Sequence, residues 1–213
     1  MSARSQNIRV NSINTRKRIL DIAQMMILEY GYSGASIDLI IEKASITKSG
    51  FFYHFESKRD LAISLLVSFL EENKMIAEQF LLTVRKETDD PLKQLLRYIE
   101  LYAELANELP SGHPGCLVAA YIYESRQFDD EIHEIARKGM QDWEKILEGL
   151  IYKTKNEYPA VVGVDAEDLS SMFTGVFEGG IILSKLVRDP KKLGAQVMHY
   201  RRYLQLIFQE SVG

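Results

Sequence analysis

The residues of this chain that could take part in recognition chemistry are grouped in one short aromatic and basic segment, residues 47–58. If residues 48–55 form a helix, Phe51 and Phe55 lie one turn apart on one face and can pack against a neighbouring helix. The other positions are then free to meet the base edges and phosphates of a DNA major groove. These positions are Lys48, Ser49, Gly50, Phe52, Tyr53 and His54. The alternative interpretation is a short surface helix with an aromatic cluster.

Helix signals before this segment supply the elements that would position it. Apolar residues recur with helical spacing over residues 19–30, and Gly31 ends that stripe. Ser36 can cap a second helix, and after a short turn Thr47 can cap a third. Glycine inside a helix costs about 1 kcal/mol relative to alanine, and close approach of the backbone to DNA would explain Gly50. The spacing therefore predicts a helix-turn-helix.

The run from Ile46 to Leu61, ITKSGFFYHFESKRDL, resembles the recognition-helix signature of TetR-family repressors. The preceding Ala35-Ser36-Ile37-x-x-Ile40-x-x-x-Ala44 is similar to the second helix of that family. The specific resemblance covers residues 15–61, and the rest matches only in length and helical layout. It implies a homodimeric transcriptional regulator, a repressor that leaves a palindromic operator when a small molecule binds, with activation as the alternative to repression.

The resemblance also implies roles for individual residues. It assigns the following positions to DNA contact: Thr47, Lys48, Ser49, Gly50, Tyr53, His54 and Lys58. The first four begin the recognition helix, with Ser49 and Gly50 nearest the bases, and the last three fall where the family places phosphate contacts. Phe52 departs from the tyrosine often found there, which leaves an apolar contact with a sugar or a thymine methyl. Arg16, at the start of the first helix, either touches the DNA backbone or belongs to a solvated charged face.

The remainder of the chain is predicted to be helical throughout. Ser57 caps a long helix that runs from residue 58 to about residue 84. Further helical segments are expected at about 91–108, 116–126, 129–154, 166–188 and 191–210, separated by proline and glycine breakers. We therefore predict an all-α fold with an N-terminal three-helix bundle that contains the helix-turn-helix, and a larger C-terminal helical ligand-binding and dimerisation domain. The expected divisions are a flexible arm over 1–14, a DNA-binding domain over 15–57 and an effector and dimerisation domain over 58–213.

Charge and composition narrow the class of function. Residues 1–60 carry nine Lys and Arg against six Asp and Glu, a net charge of +3, which leaves -7 for the rest of a chain whose total is -4. A basic head on an acidic body suits a protein that places one end on a polyanion. No apolar run approaches the roughly 20 residues of a membrane span, and no secretion signal is present, so we expect a cytoplasmic protein. We expect no metal and no cofactor, because no Cys and His spacing matches a structural zinc site.

Two features of the last helices suggest pairing with a second copy of the chain. An apolar stripe of helical spacing comprises Leu193, Val197, Tyr200, Leu204 and Ile207. Gly175 and Gly179 form a pair of small residues that would let another helix approach closely. Burial within one chain is the alternative, and the family resemblance favours the intersubunit role.

A ligand cavity is expected among the central helices. Its candidate lining combines aromatic rings with a few polar atoms, and comprises Tyr98, Tyr102, Cys116, Tyr121, Tyr123, Phe128, Trp143 and Phe173. Most of these residues would be ordinary core. Cys116 follows a Gly- and Pro-rich break at a helix start, where a thiol becomes more reactive, so it is either a sensor of electrophiles or oxidants or an inert core residue.

Two other classes of function are the alternatives to a ligand-responsive regulator. An enzyme is disfavoured because the chain has no nucleophile elbow, no phosphate-binding glycine loop and no His-Glu-x-x-His motif. A DNA-binding protein without a ligand is allowed by the same N-terminal segment, although the region after residue 58 is larger than dimerisation alone requires. The expected partners are double-stranded operator DNA, a small-molecule effector and a second copy of the chain, with no membrane.

Overall fold

The computed structural model describes the backbone of residues 3–208 and the side chains of residues 13–208. Over that range the chain is helical and contains no strand, which confirms the all-α prediction. The helices are α1 (Ala3–Gly34), α2 (Ile37–Ala44), α3 (Lys48–His54), α4 (Lys58–Glu87), α5 (Pro91–Glu108), α6 (Leu117–Tyr123), α7 (Asp130–Glu157), α8 (Ala166–Val187) and α9 (Lys191–Ile207), with a 3₁₀ helix at Ser125–Gln127. None of the described helices is both long and apolar enough to cross a membrane.

The chain divides into two compact units, and each unit is built from two stretches of sequence. The first unit contains residues up to Leu70 together with Cys116–Arg137, and the second contains Glu71–Gly115 together with the residues from Lys138 onwards. Helices α4 and α7 each contribute to both units. The sequence did not indicate that residues 116–137 belong with the first helices, and the functional division at residues 57 and 58 stays a prediction.

The first helix differs in extent from the sequence prediction. It was expected to begin at Thr15 after a loose arm, whereas α1 has helical backbone from Ala3. No glycine or proline interrupts residues 3–14, so the helix can continue backwards past Thr15. Residues 1–2 lie outside the described residues, and the mobility of the arm stays a prediction. At its other end α1 is broken as expected at Gly31, whose φ of 75° lies in the left-handed region.

The first unit is organised around the apolar stripe of α1. Ile19 and Ala23 are fully buried, in the same core as Phe51 and Phe55 of the α3 region. Serine and threonine side chains cap the short helices. The Ser36 hydroxyl caps α2 by accepting a hydrogen bond from the Leu39 amide at 3.2 Å. These contacts confirm the predicted cap of α2 and the predicted division of the α3 aromatics.

Residues 116–137 pack onto this core through a second set of aromatic contacts. The Tyr121 ring stacks on Phe128 at a centroid distance of 4.4 Å, and the Tyr121 hydroxyl donates to the carbonyl oxygen of Ala62 at 3.1 Å. Phe128 also contacts Tyr32, with ring centroids 4.4 Å apart. At the periphery the Arg59 guanidinium donates to the carboxylate of Asp129 at 2.6 Å. Residues 116–137 are therefore part of the structure that supports the first three helices.

A carboxylate clasp adds a polar connection at the end of α1. Glu124 accepts hydrogen bonds from the Tyr32 amide at 2.5 Å, from the Ser33 amide at 3.0 Å and from the Ser33 hydroxyl. A Cβ atom at Gly31 would come within 2.5 Å of Glu124 Oε1, so both the positive φ and the close approach require glycine there. Burial alone would raise the pKa of Glu124, but the hydrogen bonds from Ser33 and Tyr32 and the charge of Lys58 outweigh it and lower the pKa.

The second unit is assembled around α9, which packs against both α5 and α8. Asp90 caps α5 by accepting from the Leu92 and Lys93 amides at 2.9 and 3.0 Å. The Tyr200 hydroxyl of α9 donates to the carbonyl oxygen of Leu169 in α8 at 2.6 Å, inside the core. Helix α9 therefore joins α5 and α8, all three of which were predicted from the sequence.

The clasp yields a prediction about stability. Glu124→Gln keeps the size of the side chain but removes its charge, so it should lower the free energy of unfolding at pH 7 by about 1 kcal/mol. Because the pKa of Glu124 is lower in the folded state, the contribution of its charge is present above the ordinary value of 4.5 and is lost as the pH falls through the folded value. The difference between variant and parent should therefore shrink below pH 4.5.

Urea unfolding at a series of pH values measures this difference. Glu56→Gln is the matched control, since Glu56 is an exposed carboxylate of the same unit. A Glu124→Gln variant that is as stable as Glu56→Gln at pH 7 would contradict the role of the clasp.

Candidate DNA-binding and effector sites

The outward face of α3 has the composition that the sequence predicted. Phe51 is fully buried, whereas Tyr53 is 75% exposed and Phe52 is 44% exposed. Lys48 and Ser49 are also exposed at the start of the helix. The short helix is therefore held in the core by Phe51 and exposes an ammonium, a hydroxyl and two aromatic rings to solvent.

Thr47 begins α3 and is engaged in capping it. Its Oγ1 accepts from the Gly50 amide at 3.0 Å and lies 3.1 Å from the hydroxyl of Ser49. A Cβ atom at Gly50 would lie 3.2 Å from Thr47 Oγ1, which is tighter than ordinary van der Waals contact. A side chain at this position would require a small shift of Thr47 Oγ1, and the close approach of the backbone to DNA stays a prediction.

Two cations near α3, Lys48 and Arg16, lie at the surface where a phosphate could reach them. Lys48 forms only a long, exposed ion pair of 3.8 Å with Asp38, an interaction that contributes little to stability and is easily exchanged. Arg16 is exposed and lies over the Phe55 ring, 5.0 Å from its centroid. Arg16 and Lys48 are thus both available at the surface of the first unit.

Lys58 contacts the end of α1. Its ammonium donates to the carbonyl oxygen of Tyr32 at 2.5 Å and lies 4.3 Å from the centroid of the Tyr32 ring. Burial lowers the pKa of Lys58, and the charge of Glu124 partly opposes that shift. The side chain therefore closes the clasp at the end of α1 with one of its three protons, and the phosphate contact stays a prediction.

His54 ends α3 and is half-buried beside Arg16. Burial lowers the pKa of His54, and the positive charge of Arg16 lowers it further. The ring is therefore neutral at pH 7, and the phosphate contact predicted for it would be a hydrogen bond from a neutral N–H.

Four of the eight predicted effector residues form an aromatic cluster in the second unit. The hydroxyls of Tyr98 and Tyr102 lie 3.3 Å apart, and the indole N–H of Trp143 donates to the Tyr102 oxygen at 2.9 Å. Phe173 contacts both Tyr102 and Trp143, with centroids 5.3 and 5.8 Å apart. Burial raises the pKa of Tyr102 to about 12, so its hydroxyl stays protonated. This cluster, Tyr98, Tyr102, Trp143 and Phe173, combines apolar surface with three polar atoms.

The other four residues lie in the stretch assigned to the first unit. Tyr121 and Phe128 pack in the core of that unit, and Tyr123 is 80% exposed, so it lines no enclosed cavity there. Cys116 is half-buried at the start of α6, where its Sγ accepts from the Ala119 amide at 3.5 Å. The eight residues therefore do not share one lining within either unit, and a sensing role for Cys116 stays a prediction. Helical spacing identified apolar positions but could not show which helix they face.

Comparison with known proteins identifies the family. The family model described as "Bacterial regulatory proteins, tetR family" matches residues 19–65, and that described as "Tetracyclin repressor-like, C-terminal domain" matches residues 91–200. Together these matches cover more than half of the chain.

The chain belongs to the TetR family of bacterial regulatory proteins. It is similar to the HTH-type transcriptional repressor DhaR of Mycobacterium sp., with 21% identity over 178 residues that cover 84% of this chain and 86% of DhaR. A TetR-family regulator from Agrobacterium tumefaciens has a TM-score of 0.74 and 22% identity, and the match covers 92% of this chain and 99% of that one. FadR from Bacillus subtilis, solved in complex with stearoyl-CoA, has a TM-score of 0.67 and 21% identity, with coverage of 88% and 96%. At these identities the structural matches show the shared fold.

The predicted dimer residues of this TetR-family chain fall into two groups. The α9 residues Leu193, Val197, Tyr200, Leu204 and Ile207 are at most 3% exposed. They are therefore buried within one chain, in which α9 packs against α5 and α8, and a contact with a second copy stays a prediction. Gly175 and Gly179 of α8, in contrast, face open space, with nothing within 4 Å of a Cβ atom at either position.

An exposed apolar stripe on α8 was missed by the sequence analysis. It continues the face of Gly175 and Gly179 and comprises Met172, Ile182, Leu183 and Leu186, of which Leu186 is the most exposed at 75%. The spacing 175, 179, 182 and 186 follows one face of a helix, so the signal was present in the sequence. The apolar stripe of α9 has the same period, so spacing alone does not show which of the two stripes is exposed.

Proposed function

We propose that this TetR-family protein is a ligand-responsive repressor in the cytoplasm, which binds operator DNA as a dimer and leaves it when a small molecule binds the second unit. The outward face of α3 carries the proposal, because Phe51 is buried while Tyr53, Phe52, Ser49 and Lys48 are exposed. A helix held from one side with polar and aromatic groups on the other suits insertion into a major groove.

The exposed groups of α3 supply complementary kinds of contact. The hydroxyl of Ser49 can reach base edges, and the Phe52 ring can meet a thymine methyl or a sugar. Lys48, Arg16 and the Tyr53 hydroxyl are suited to phosphates, which set the register of the protein on the duplex without reading its sequence.

Operator binding should depend on the exposed ring of α3. Tyr53→Ala should weaken binding by about 1–3 kcal/mol without affecting folding, and Lys48→Gln should reduce the slope of log K against log salt by about 1. Tyr123→Ala is the matched control, since Tyr123 is equally exposed, at 80% against 75%, but lies on α6. Fluorescence anisotropy with labelled operator at several salt concentrations measures both effects. If Tyr53→Ala and Tyr123→Ala bind operator equally well, α3 is not the DNA-binding helix.

The exposed stripe of α8 supports a homodimer. Its apolar residues Ile182, Leu183 and Leu186 lie at the surface beside the open positions of Gly175 and Gly179. A contiguous exposed apolar face on a helix indicates a protein interface, and small residues within it allow close helix contact. A twofold dimer would place two α3 helices for two half-sites about 34–36 Å apart, and the operator should then be a palindrome or near-palindrome.

Dimerisation should be lost when charge is placed in this stripe. Leu186→Glu should shift the mass measured by light scattering from that of two chains to that of a single chain of 24.4 kDa. It should also weaken operator binding, because each chain then binds one half-site alone. Leu82→Glu is the control, because Leu82 is a 52% exposed leucine of α4 outside the stripe. A Leu186→Glu protein that stays dimeric would place the interface elsewhere.

The aromatic cluster of the second unit supports an effector site. Its rings offer apolar contact, and the hydroxyls of Tyr98 and Tyr102 and the indole N–H of Trp143 offer a few directional polar groups, which is the usual composition of a small-molecule site. The structure of FadR with stearoyl-CoA shows that a protein of similar fold holds a ligand. Helices α4 and α7 each contribute to both units, so displacement of either helix could carry a ligand signal to the DNA-binding helices.

A repressor of this kind must obey linkage between effector and operator. Trp143 is the only tryptophan of the chain and lies in the aromatic cluster, so its fluorescence should report effector binding. For a switch of roughly 100-fold, the coupling free energy is about 2.7 kcal/mol, and operator DNA should weaken effector binding by the same factor. Titrations of a compound that changes Trp143 fluorescence, with and without operator, measure this factor, with a scrambled duplex as the control. Equal affinities in the two titrations would contradict the allosteric mechanism and leave the DNA-binding assignment intact.

A further inference from the structure

A basic pocket of about 360 Å³ lies in the second unit, apart from the four residues of the aromatic cluster. One side is formed by the loop 111–114, and the other by Ser184, Lys185, Arg188 and Pro190 at the end of α8 and just beyond it. The volume suits a small organic molecule.

The charge of the pocket is positive and is not neutralised by protein groups. Lys185 and Arg188 line it, and no lining residue is acidic. Among the salt bridges of the described residues, none involves Lys185 or Arg188. The Lys185 ammonium donates to the carbonyl oxygen of Pro114 at 2.5 Å, which uses one of its three protons and holds it at the pocket. Two cations that line the same concave site attract an anion.

The backbone at Arg188 supports a role for its side chain. Arg188 has a φ of 54° and a ψ of 38°, the left-handed conformation that ends many helices, and its amide donates to the carbonyl oxygen of Lys185 at 3.3 Å. Glycine or asparagine is usual at such a position, because a Cβ atom is strained in the left-handed conformation. A guanidinium that binds a ligand in the adjoining pocket would account for arginine at this place.

His113 adds a neutral hydrogen-bond donor to the lining. Its Nδ1 accepts from the Gly115 amide at 3.2 Å, so the ring proton is carried by Nε2. Burial lowers the pKa of His113 to about 4, with a further contribution from the charge of Lys185, so the ring is neutral at pH 7. The ring centroid lies 5.7 Å from that of Phe177, which in turn lies 5.9 Å from Tyr102 of the aromatic cluster.

We propose that this pocket binds the carboxylate or phosphate group of a small organic anion, held by Lys185 and Arg188. The two side chains offer an ammonium and a planar guanidinium fork, and the fork matches the paired oxygens of either group. An apolar part of the ligand would meet Pro114 and Pro190, which also line the pocket. The proposal adds a second site and a ligand class to the proposed function, and its test needs no DNA.

Isothermal titration of the full chain with sodium benzoate and with sodium phosphate tests the site, against sodium chloride at matched ionic strength. Saturable binding with a Kd of about 1 mM or tighter is expected for at least one probe, and the stronger of the two identifies the carboxylate or the phosphate as the preferred group. Lys185→Gln with Arg188→Gln should weaken that Kd at least tenfold. Lys138→Gln with Lys192→Gln removes two exposed cations of the same unit outside the pocket and should leave the Kd unchanged.

Arg188→Gly keeps the proposal testable if the double variant folds poorly. Glycine relieves the left-handed conformation, so this variant should be more stable than the parent and yet bind the probe more weakly. A residue with only a structural role would not combine those two effects. The proposal is overturned if neither probe binds saturably, or if Arg188→Gly and the Lys185→Gln, Arg188→Gln double variant bind the probe as tightly as the parent does.

Discussion

The orientation of α3 depends on the burial of Phe51 and Phe55 in the core organised by α1. A seven-residue helix is too short to be stable alone, so its rotation about its own axis is set by the side chains that it buries. With Phe51 fully buried, residues on the other side of α3 have no alternative to solvent or a ligand. Every candidate contact with DNA follows from that one constraint, and the Thr47 cap only fixes where the helix begins.

The surroundings of this core contain a connection that no local pattern could have predicted. Glu124 lies 92 residues from Tyr32 in the sequence, and its carboxylate closes a turn whose glycine was recognised only as a helix end. Carboxylates on predicted helices are usually solvated, and nothing about the spacing of residue 124 distinguishes it. The clasp also captures Lys58, which the motif placed among the phosphate contacts. A residue assigned by family position can thus be held by its own fold, and only the three-dimensional arrangement shows which partner it has.

Sequence periodicity predicted well which residues would be buried. It did not predict which helices would cover them. The stripe of α9 is buried as its spacing required, but it is covered by α5 and α8 of the same chain. The candidate effector residues divide for the same reason, because apolar positions in 116–128 and those in 98–102 have identical character and different neighbours. The helix-turn-helix was predictable in more detail, since caps, turn length and the division of the aromatics are all local features.

Helix α8 has apolar residues on both its buried side and its exposed side, which favours a second copy of the chain as its partner. Leu169, Phe173 and Ile181 are buried inside the unit, while Met172, Ile182 and Leu186 lie exposed on the same helix. A helix on the surface of a monomer normally has one apolar face and one polar face, and a helix that is apolar on both sides is normally covered on both. The inner side of α8 is covered by α9. The outer side has Gly175 and Gly179 where bulky side chains would keep a partner away, so its shape as well as its composition suits a helix from a second chain.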